Sequence, residues 1–312
     1  MEHYQNERFI ETETLALSIT KEYPEHQFAW KILGAVLKQT GRVAESLTFM
    51  HKSIQINPQD AESYNNLGVT LQDLGRLDDA ELAYKQAIIL EPNYIEAHNN
   101  LGNTFKDQGR LDKAINAYNK TILINPNDAE AHYNKGLALK SLGKIEEALV
   151  SYTQAIKLNP NYASAYNNLG NALQENGKTG DAIESYKKSI LLKPDFAKAH
   201  HNLSFALLNC GRLQDGLNEY EWRWKQSEFQ LQNRHFSQPL WDGKESLKNK
   251  RILLWSEQGI GDTIMWASRL PLLALKSQHC ILECQEKLVP LFKRSFPHIE
   301  IKPTNNRNDS KR

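Results

Sequence analysis

Cysteine is scarce: the 312 residues hold three, Cys210, Cys280 and Cys284, at irregular spacing. That excludes a disulfide framework and leaves reduced thiols as the expected state. Long apolar runs are missing as well. The longest, such as Leu270 to Leu275, fall far short of the ~18 to 20 residues a membrane-spanning helix needs. Neither charge dominates, with 38 Lys and Arg against 37 Asp and Glu, a net charge of +1. A protein that binds nucleic acid through its phosphates needs a basic surplus, so that class is disfavoured. The opening residues, MEHYQNERFIETE, lack the basic and apolar pattern of a secretory signal. A cytoplasmic setting is the expectation. The 40% hydrophobic and 24% charged residues that are present describe a folded chain rather than a disordered tail.

The averages conceal two halves. From His235 onward there are 13 basic and 8 acidic residues, against 25 and 29 before it. Five of the six tryptophans (Trp222, Trp224, Trp241, Trp255 and Trp266) fall within 45 residues. The chain changes character near residues 225 to 240.

Before that point the sequence overlays itself when shifted by 34 residues. AESYNNLGVTLQDLGRLDDAELAYKQAIILEPNY (61–94) is followed by three close copies at 95–128, 129–162 and 163–196. Weaker copies lie at 27–60 and 197–230. A fixed period of this size is the mark of a solenoid, and weak terminal copies are expected of its caps. One unit explains itself. Tyr64, Leu67, Gly68 and Leu71 recur at helical spacing, and so do Ala80, Tyr84, Ala87 and Ile88. Gly75 between them suits a helix end in the left-handed conformation. Asp78 and Asp79 suit the start of the next helix, and Pro92 closes the unit. Gly68 and Ala80 let the two helices approach closely. Neither helix can bury its apolar stripe alone, so stacked neighbours supply the core.

Tyr64, Leu67, Gly68, Leu71, Ala80, Tyr84, Ala87 and Pro92 fill the eight signature positions of the tetratricopeptide repeat, which this unit resembles. The next unit supplies His98, Leu101, Gly102, Phe105, Ala114, Tyr118, Thr121 and Pro126. Unit 129–162 departs where Lys135 replaces leucine; unit 197–230 has Ser204 and Gly216 at the small positions and lacks the closing proline. Ahead of residue 27, Phe9, Thr12, Ala16, Ile19 and Pro24 read as the second half of a further unit, with Glu7 in place of glycine. The natural or ancestral chain is therefore expected to begin upstream of Met1.

Repeat stacks bind through a concave groove lined by the first helix of each unit. The sixth position of five successive units is Asn66, Asn100, Asn134, Asn168 and Asn202, and the series stops at Ile32 in unit 27–60. An asparagine amide donates and accepts at once, so such a ladder can bond the backbone of an extended peptide without reading its side chains. It resembles the ladder of protein O-GlcNAc transferases, whose groove holds extended polypeptide. Asparagine here is also a common repeat residue with no dedicated ligand, and that reading stays open. Asn103, Asn171, Lys106 and Asp107 are further groove candidates. First-helix Lys and Arg are too few for a clamp on a ligand's terminal carboxylate. His98, His132 and His200 sit at the bulky packing position, too far apart to share a metal.

After Gln230 the period fails, and LQNRHFSQPLWDGKESLKN reads as a linker with a turn at Trp241-Asp242-Gly243. Strands are predicted at 251–255, 279–285 and 298–303, with helices at 263–277 and 287–296. That alternation implies parallel βαβ units. The loop EQGIGD (257–262) lies after the first strand, where α/β folds bind ligands. Gly259 and Gly261 alone are a weak phosphate signal, because Ile264 stands where the third glycine of a dinucleotide site belongs. The longer string WDGKESLKNKRILLWSEQGIGDTIMW, after YEWRWK, resembles bacterial proteins that fuse tetratricopeptide repeats to a GT-B-type domain. That domain is related to glycosyltransferase family nine, the heptosyltransferase-like group. The resemblance implies that Asp262 matches an aspartate proposed as the base toward an acceptor hydroxyl. A helix N-cap is the alternative reading of Asp262. GT-B enzymes hold the nucleotide sugar mainly in a second domain, and about 60 residues cannot form both halves. Cys280 and Cys284 share one face of a strand without a His/Cys cluster, so no zinc site is expected. The tryptophans are expected to cover the joint between the last repeat and the α/β piece.

The expected fold class is all-α: a right-handed tetratricopeptide superhelix, followed by a small incomplete α/β Rossmann-like unit. The expected divisions are a half repeat at 1–26, six repeats at 27–230, a linker at 231–250, the partial GT-B-type unit at 251–303 and a polar tail at 304–312. The expected function is a protein-interaction module holding an extended polypeptide or partner protein in its groove. The alternative is a glycosyltransferase whose repeats select the acceptor, inactive in this chain. Neither a metal nor a cofactor is expected, a nucleotide sugar belonging only to the alternative.

Overall fold

A computed structural model describes residues 8–226, 238–239, 241, 243–256 and 260–304, with Gly261 and Asp262 described by backbone only. The chain divides into two compact units, Met1–Gln226 and Ser227–Arg312.

The described residues of the first unit, 8–226, form helices joined by short turns. A leading helix, α1 (Phe9–Glu22), is followed by six helix pairs. The first helices of the pairs are α2 (Gln27–Gln39), α4 (Ala61–Asp73), α6 (Ile95–Asp107), α8 (Ala129–Ser141), α10 (Ala163–Glu175) and α12 (Ala197–Asn209). The second helices are α3 (Val43–Ile56), α5 (Leu77–Leu90), α7 (Leu111–Ile124), α9 (Ile145–Leu158), α11 (Thr179–Leu192) and the shorter α13 (Leu213–Tyr220), which runs into a 3₁₀ turn at Glu221–Lys225.

The turn inside each pair follows from one residue. Gly75 has φ +73°. This left-handed residue lets the Gly75 and Arg76 N–H groups reach back to the Gln72 and Leu71 carbonyls, both at 2.9 Å. The bonds form a Schellman motif that occupies carbonyls the helix leaves open. Positive-φ glycines recur at 41, 109, 143, 177 and 211, so every pair turns in the same way.

Each second helix then begins with a basic residue where a capping oxygen is usual: Arg42, Arg76, Arg110, Lys144, Lys178 and Arg212 make no side-chain cap bond. In three of these helices the arginine pairs with the carboxylate three residues on: Glu45, Asp79 or Asp215. That carboxylate lies in the first turn, where the helix dipole favours negative charge.

The two helices of a pair are locked by a tyrosine on a glycine. Tyr84, Tyr118, Tyr152 and Tyr186 are fully buried. A methyl added at Gly68, Gly102 or Gly170 would lie 2.5 Å from the ring of its tyrosine, and one at Gly136 would lie 2.7 Å away. Only glycine permits that approach, and each ring buries roughly 150–250 Å² of surface. Met50 takes the place of the tyrosine over Gly34 in the first pair. Alanines such as Ala80, Ala97, Ala114 and Ala131 fill the remaining narrow spaces and are wholly buried.

The second unit is a three-stranded parallel sheet in the order β1-β2-β3, formed by Arg251–Trp255, His279–Cys284 and Glu300–Pro303. Ile252 lies opposite Cys280, and Leu282 opposite Ile301. Ile252, Cys280, Leu282, Cys284 and Ile301 bury one face, with Leu270, Leu288 and Phe292 packed among them. Leu247 and Trp241, within the stretch read as a linker, join this core, and the Trp241 indole donates to the Glu245 carbonyl at 2.9 Å. Cys280 and Cys284 share the buried face, and burial pushes both thiols up from their ordinary values.

The single helix expected over 263–277 is instead two, α14 (Ile260–Ala267) and α15 (Leu270–Lys276). Pro271 is the reason. It has no N–H to bond the Ala267 carbonyl and its ring crowds that carbonyl, so the chain turns at Ser268–Arg269 and restarts with proline in the first turn. The last helix, α16 (Val289–Ser295), likewise carries proline near its start.

Candidate functional site: the inner wall of the repeats

The first helices of successive pairs lie side by side and exchange polar contacts. The contacts repeat because the sequence does. The sixth residue of one pair bonds the fifth residue of the preceding one. Asn100 Nδ2 donates to Asn65 Oδ1 at 3.0 Å, Asn202 Nδ2 to Asn167 Oδ1 at 2.9 Å, and Asn168 Nδ2 to the Tyr133 hydroxyl at 2.7 Å. Further along the same face the twelfth residue bonds the thirteenth of the next pair: Lys38 to Asp73 at 3.1 Å, Gln72 to Asp107 at 3.0 Å and Lys140 to Glu175 at 2.5 Å. These bonds hold the wall in register.

Three members of the expected ladder, Asn100, Asn168 and Asn202, are thus committed in part to neighbouring repeats. Each bridge uses one of the two amide N–H groups, so donor capacity remains. The side chains of Asn66 and Asn134 have no hydrogen-bond partner among the described residues. At Asn134 the bridge is broken, because Asn99 turns its Nδ2 to Asp128 at 3.2 Å and its buried Oδ1 is left without a partner. Asn103 and Asn171 accept from the Tyr118 and Tyr186 hydroxyls at 2.7 and 2.8 Å.

At the N-terminal end the wall is ionic. Lys31 meets Asp60 at 2.9 Å and Glu62 at 2.8 Å, and Asp60 also accepts from Ser63 and Gln27. Partial burial works against the charges. The bonds outweigh it, holding the Asp60 carboxyl below its ordinary value and the Lys31 ammonium above its own. Burial likewise pushes the Tyr84, Tyr118, Tyr152 and Tyr186 hydroxyls well above the ordinary tyrosine range. Those of Tyr84, Tyr118 and Tyr186 act as neutral donors.

The histidines at the packing position have a role the sequence did not disclose. His98, His132 and His200 each place Nε2 against the carbonyl of the preceding closing proline, Pro92, Pro126 and Pro194, at 2.9, 3.2 and 3.0 Å. Trp30 does the same with its indole N–H to Pro24, at 2.8 Å. Spacing could have exposed this: four residues with a ring N–H recur six positions after a proline. His200 also faces Glu219 and stacks flat on Trp222 at 3.8 Å. Among the described residues no cluster of His, Cys, Asp and Glu is arranged to hold a metal.

In the second unit, Gly259 lies outside the described residues. Gly261 and Asp262 fall within the first turn of α14, which begins at Ile260. Asp262 is thus the third residue of that helix rather than the residue ahead of it. The tryptophan joint expected between the last repeat and the α/β piece lies outside the described residues. Trp222 covers His200 within the first unit, and Trp266 is largely exposed in the second.

A stack of like helix pairs with a polar inner wall is a helical-repeat scaffold. Tetratricopeptide-repeat models match residues 51–81, 71–109, 102–143, 136–177 and 163–196, so this part of the chain consists of tetratricopeptide repeats in the fold of that class. Over 64 residues, 20% of the chain, it is 39% identical to protein FlbA of Caulobacter vibrioides, and the match spans only 11% of that protein. Among solved structures, the APC/C hetero-tetramer Cut9–Hcn1 aligns with a TM-score of 0.60 at 17% identity, covering 72% of this chain and 45% of that one. YrrB, described as a TPR protein with an unusual peptide-binding site, aligns with a TM-score of 0.50 at 20% identity, covering 60% of this chain and 96% of its own. At these identities the likeness is one of fold. Among the described residues no helix is long and apolar enough to cross a membrane.

Proposed function

We propose that the inner wall of the repeats binds an extended polypeptide, either free or as a segment of a partner protein. One observation carries this reading. The wall repeats side-chain amides at 34-residue intervals, and Asn66 and Asn134 keep their full hydrogen-bonding capacity. A peptide backbone presents alternating N–H and C=O groups, which such amides complement. The peptide-binding description attached to YrrB agrees with this use of the fold.

Asn66 and Asn134 allow a clean test, because they bridge no repeats. Changing both to Ala is expected to weaken capture of peptides from an array. Asn66→Ala alone, at a half-buried position that bonds nothing, is expected to leave the melting temperature within about 2 °C, while Asn134→Ala also removes buried packing and lowers it by ~2–4 °C. Unchanged peptide capture would refute the reading.

A parallel sheet followed by a helix at the carboxyl end of β1 is the one feature that favours the transferase alternative for the second unit. In that reading Gly261 lies in the first turn of α14 and Asp262 is the base. A thermal shift of the full chain with UDP- or ADP-sugars tests it, and no shift would remove it.

A further inference from the structure

The inner wall is not uniform: α8 departs from the two first helices beside it, while Val69 in α4 and Phe205 in α12 are also apolar at the ninth position. The fifth and ninth residues of the flanking first helices are Asn99 and Asn103 on one side and Asn167 and Asn171 on the other. In α8 the same positions hold Tyr133 and Leu137. The tyrosine ring is fixed from two sides. Its centroid lies 4.8 Å from that of Tyr162 and 6.0 Å from that of Tyr152, and its hydroxyl accepts from Asn168. Tyr133 and Leu137 are half-buried, with part of each side chain at the surface.

The exchange leaves a polar group in this repeat without a partner. Asn103 and Asn171 take the buried hydroxyls of Tyr118 and Tyr186. Leucine at 137 cannot, and the Tyr152 hydroxyl, on a fully buried side chain, has no partner. Asn99 Oδ1, in the repeat before, is likewise buried without a partner. Unsatisfied buried groups cost stability. An asparagine at 137 would give Tyr152 the acceptor that Tyr118 and Tyr186 have; Leu137 instead packs against the cluster of Leu139, Ala148, Tyr152 and Ala172 and leaves the hydroxyl unpaired.

We propose that Tyr133 and Leu137 form a side-chain subsite within the peptide groove, taking one large apolar side chain, leucine or aromatic, of the bound polypeptide. The inference rests on the peptide-groove reading above. The asparagine-lined stretches on either side meet the backbone and are indifferent to side chains; the subsite fixes the register. Asn103, whose Oδ1 is occupied by Tyr118, keeps its amide N–H groups for a ligand carbonyl beside the subsite.

The test uses the full chain and three labelled twelve-residue peptides of glycine, serine and asparagine, followed by fluorescence anisotropy. One has no large apolar residue, one a central leucine and one a central phenylalanine. The leucine and phenylalanine peptides are expected to bind about tenfold tighter than the polar one, as for a hydrophobic pocket that gains one side chain. Leu137→Asn is expected to abolish that difference and to leave the polar peptide's affinity unchanged. Tyr133→Phe keeps the ring and is expected to keep the preference. If all three peptides bind equally, or if either variant behaves otherwise, the subsite is refuted while the groove stands. If none of the three binds, the groove reading fails and the subsite with it.

Discussion

The buried tyrosines offer an internal comparison, because the same ring sits in the same place with different partners. Tyr186 lies 2.8 Å from Asn171 Oδ1 and 3.0 Å from Gln174 Oε1, while Tyr118 lies 2.7 Å from Asn103 Oδ1. Tyr152 has neither partner. Replacing each tyrosine with phenylalanine removes one oxygen and leaves the packing intact. In Tyr118→Phe the loss is one hydrogen bond plus an acceptor left without its donor, worth about 1–2 kcal/mol. Tyr186→Phe should cost about the same or slightly more, since a single proton serves one acceptor at a time. Tyr152→Phe removes a hydroxyl that only carries a desolvation penalty, so it should be neutral or stabilising by up to ~1 kcal/mol. The assay is urea denaturation followed by circular dichroism, with melting temperatures alongside. At this size about 1 kcal/mol corresponds to ~2–4 °C. The expected order of midpoints places Tyr152→Phe at or above the parent chain and the other two below it. A loss in Tyr152→Phe equal to that in Tyr186→Phe would refute the reasoning, because the hydroxyl would then be satisfied.

Gly102→Ala should cost ~1–3 kcal/mol, since its methyl would meet the Tyr118 ring at 2.5 Å, whereas Gly180→Ala, with open space around it, should stabilise by about 0.5–1 kcal/mol; calorimetry checks both. The Lys31–Asp60 contact predicts an acid-sensitive N-terminal end. Asp60 is held below its ordinary value, so its contribution is fully present above about pH 4 and is lost as pH falls through the depressed value. Because the pair is partly exposed, the loss should be only ~0.5–1 kcal/mol, and Asp60→Asn should remove this part of the acid dependence in pH-dependent unfolding.

The period of 34 residues and the alternating strand pattern made the architecture legible, since both are local properties of the chain. β1 matches its expected limits of 251–255. Other features depend on pairs of residues that a reading along the chain does not bring together. The Asn100–Asn65 bridge joins residues 35 apart, so asparagines expected to face a ligand turned out to be shared with the neighbouring repeat. The basic residue opening each second helix stands where an oxygen cap is usual; the carboxylates in the first turn are legible, but their pairing with the arginine depends on side-chain geometry. The break between α14 and α15 is within reach of the sequence through Pro271, but the apolar run on either side of it carries the helical period across.

The glycine–tyrosine lock has a consequence for how such a chain can change length. Gly68, Gly102, Gly136 and Gly170 each receive the tyrosine sixteen residues later, so the contact is closed within a repeat and asks nothing specific of the next. Excising residues 95–128 would therefore bring two compatible surfaces together and shorten the groove by one step. Excising a few residues more or fewer would misalign the remaining helices. Length in this protein is quantised, and the reach of its groove is a matter of counting.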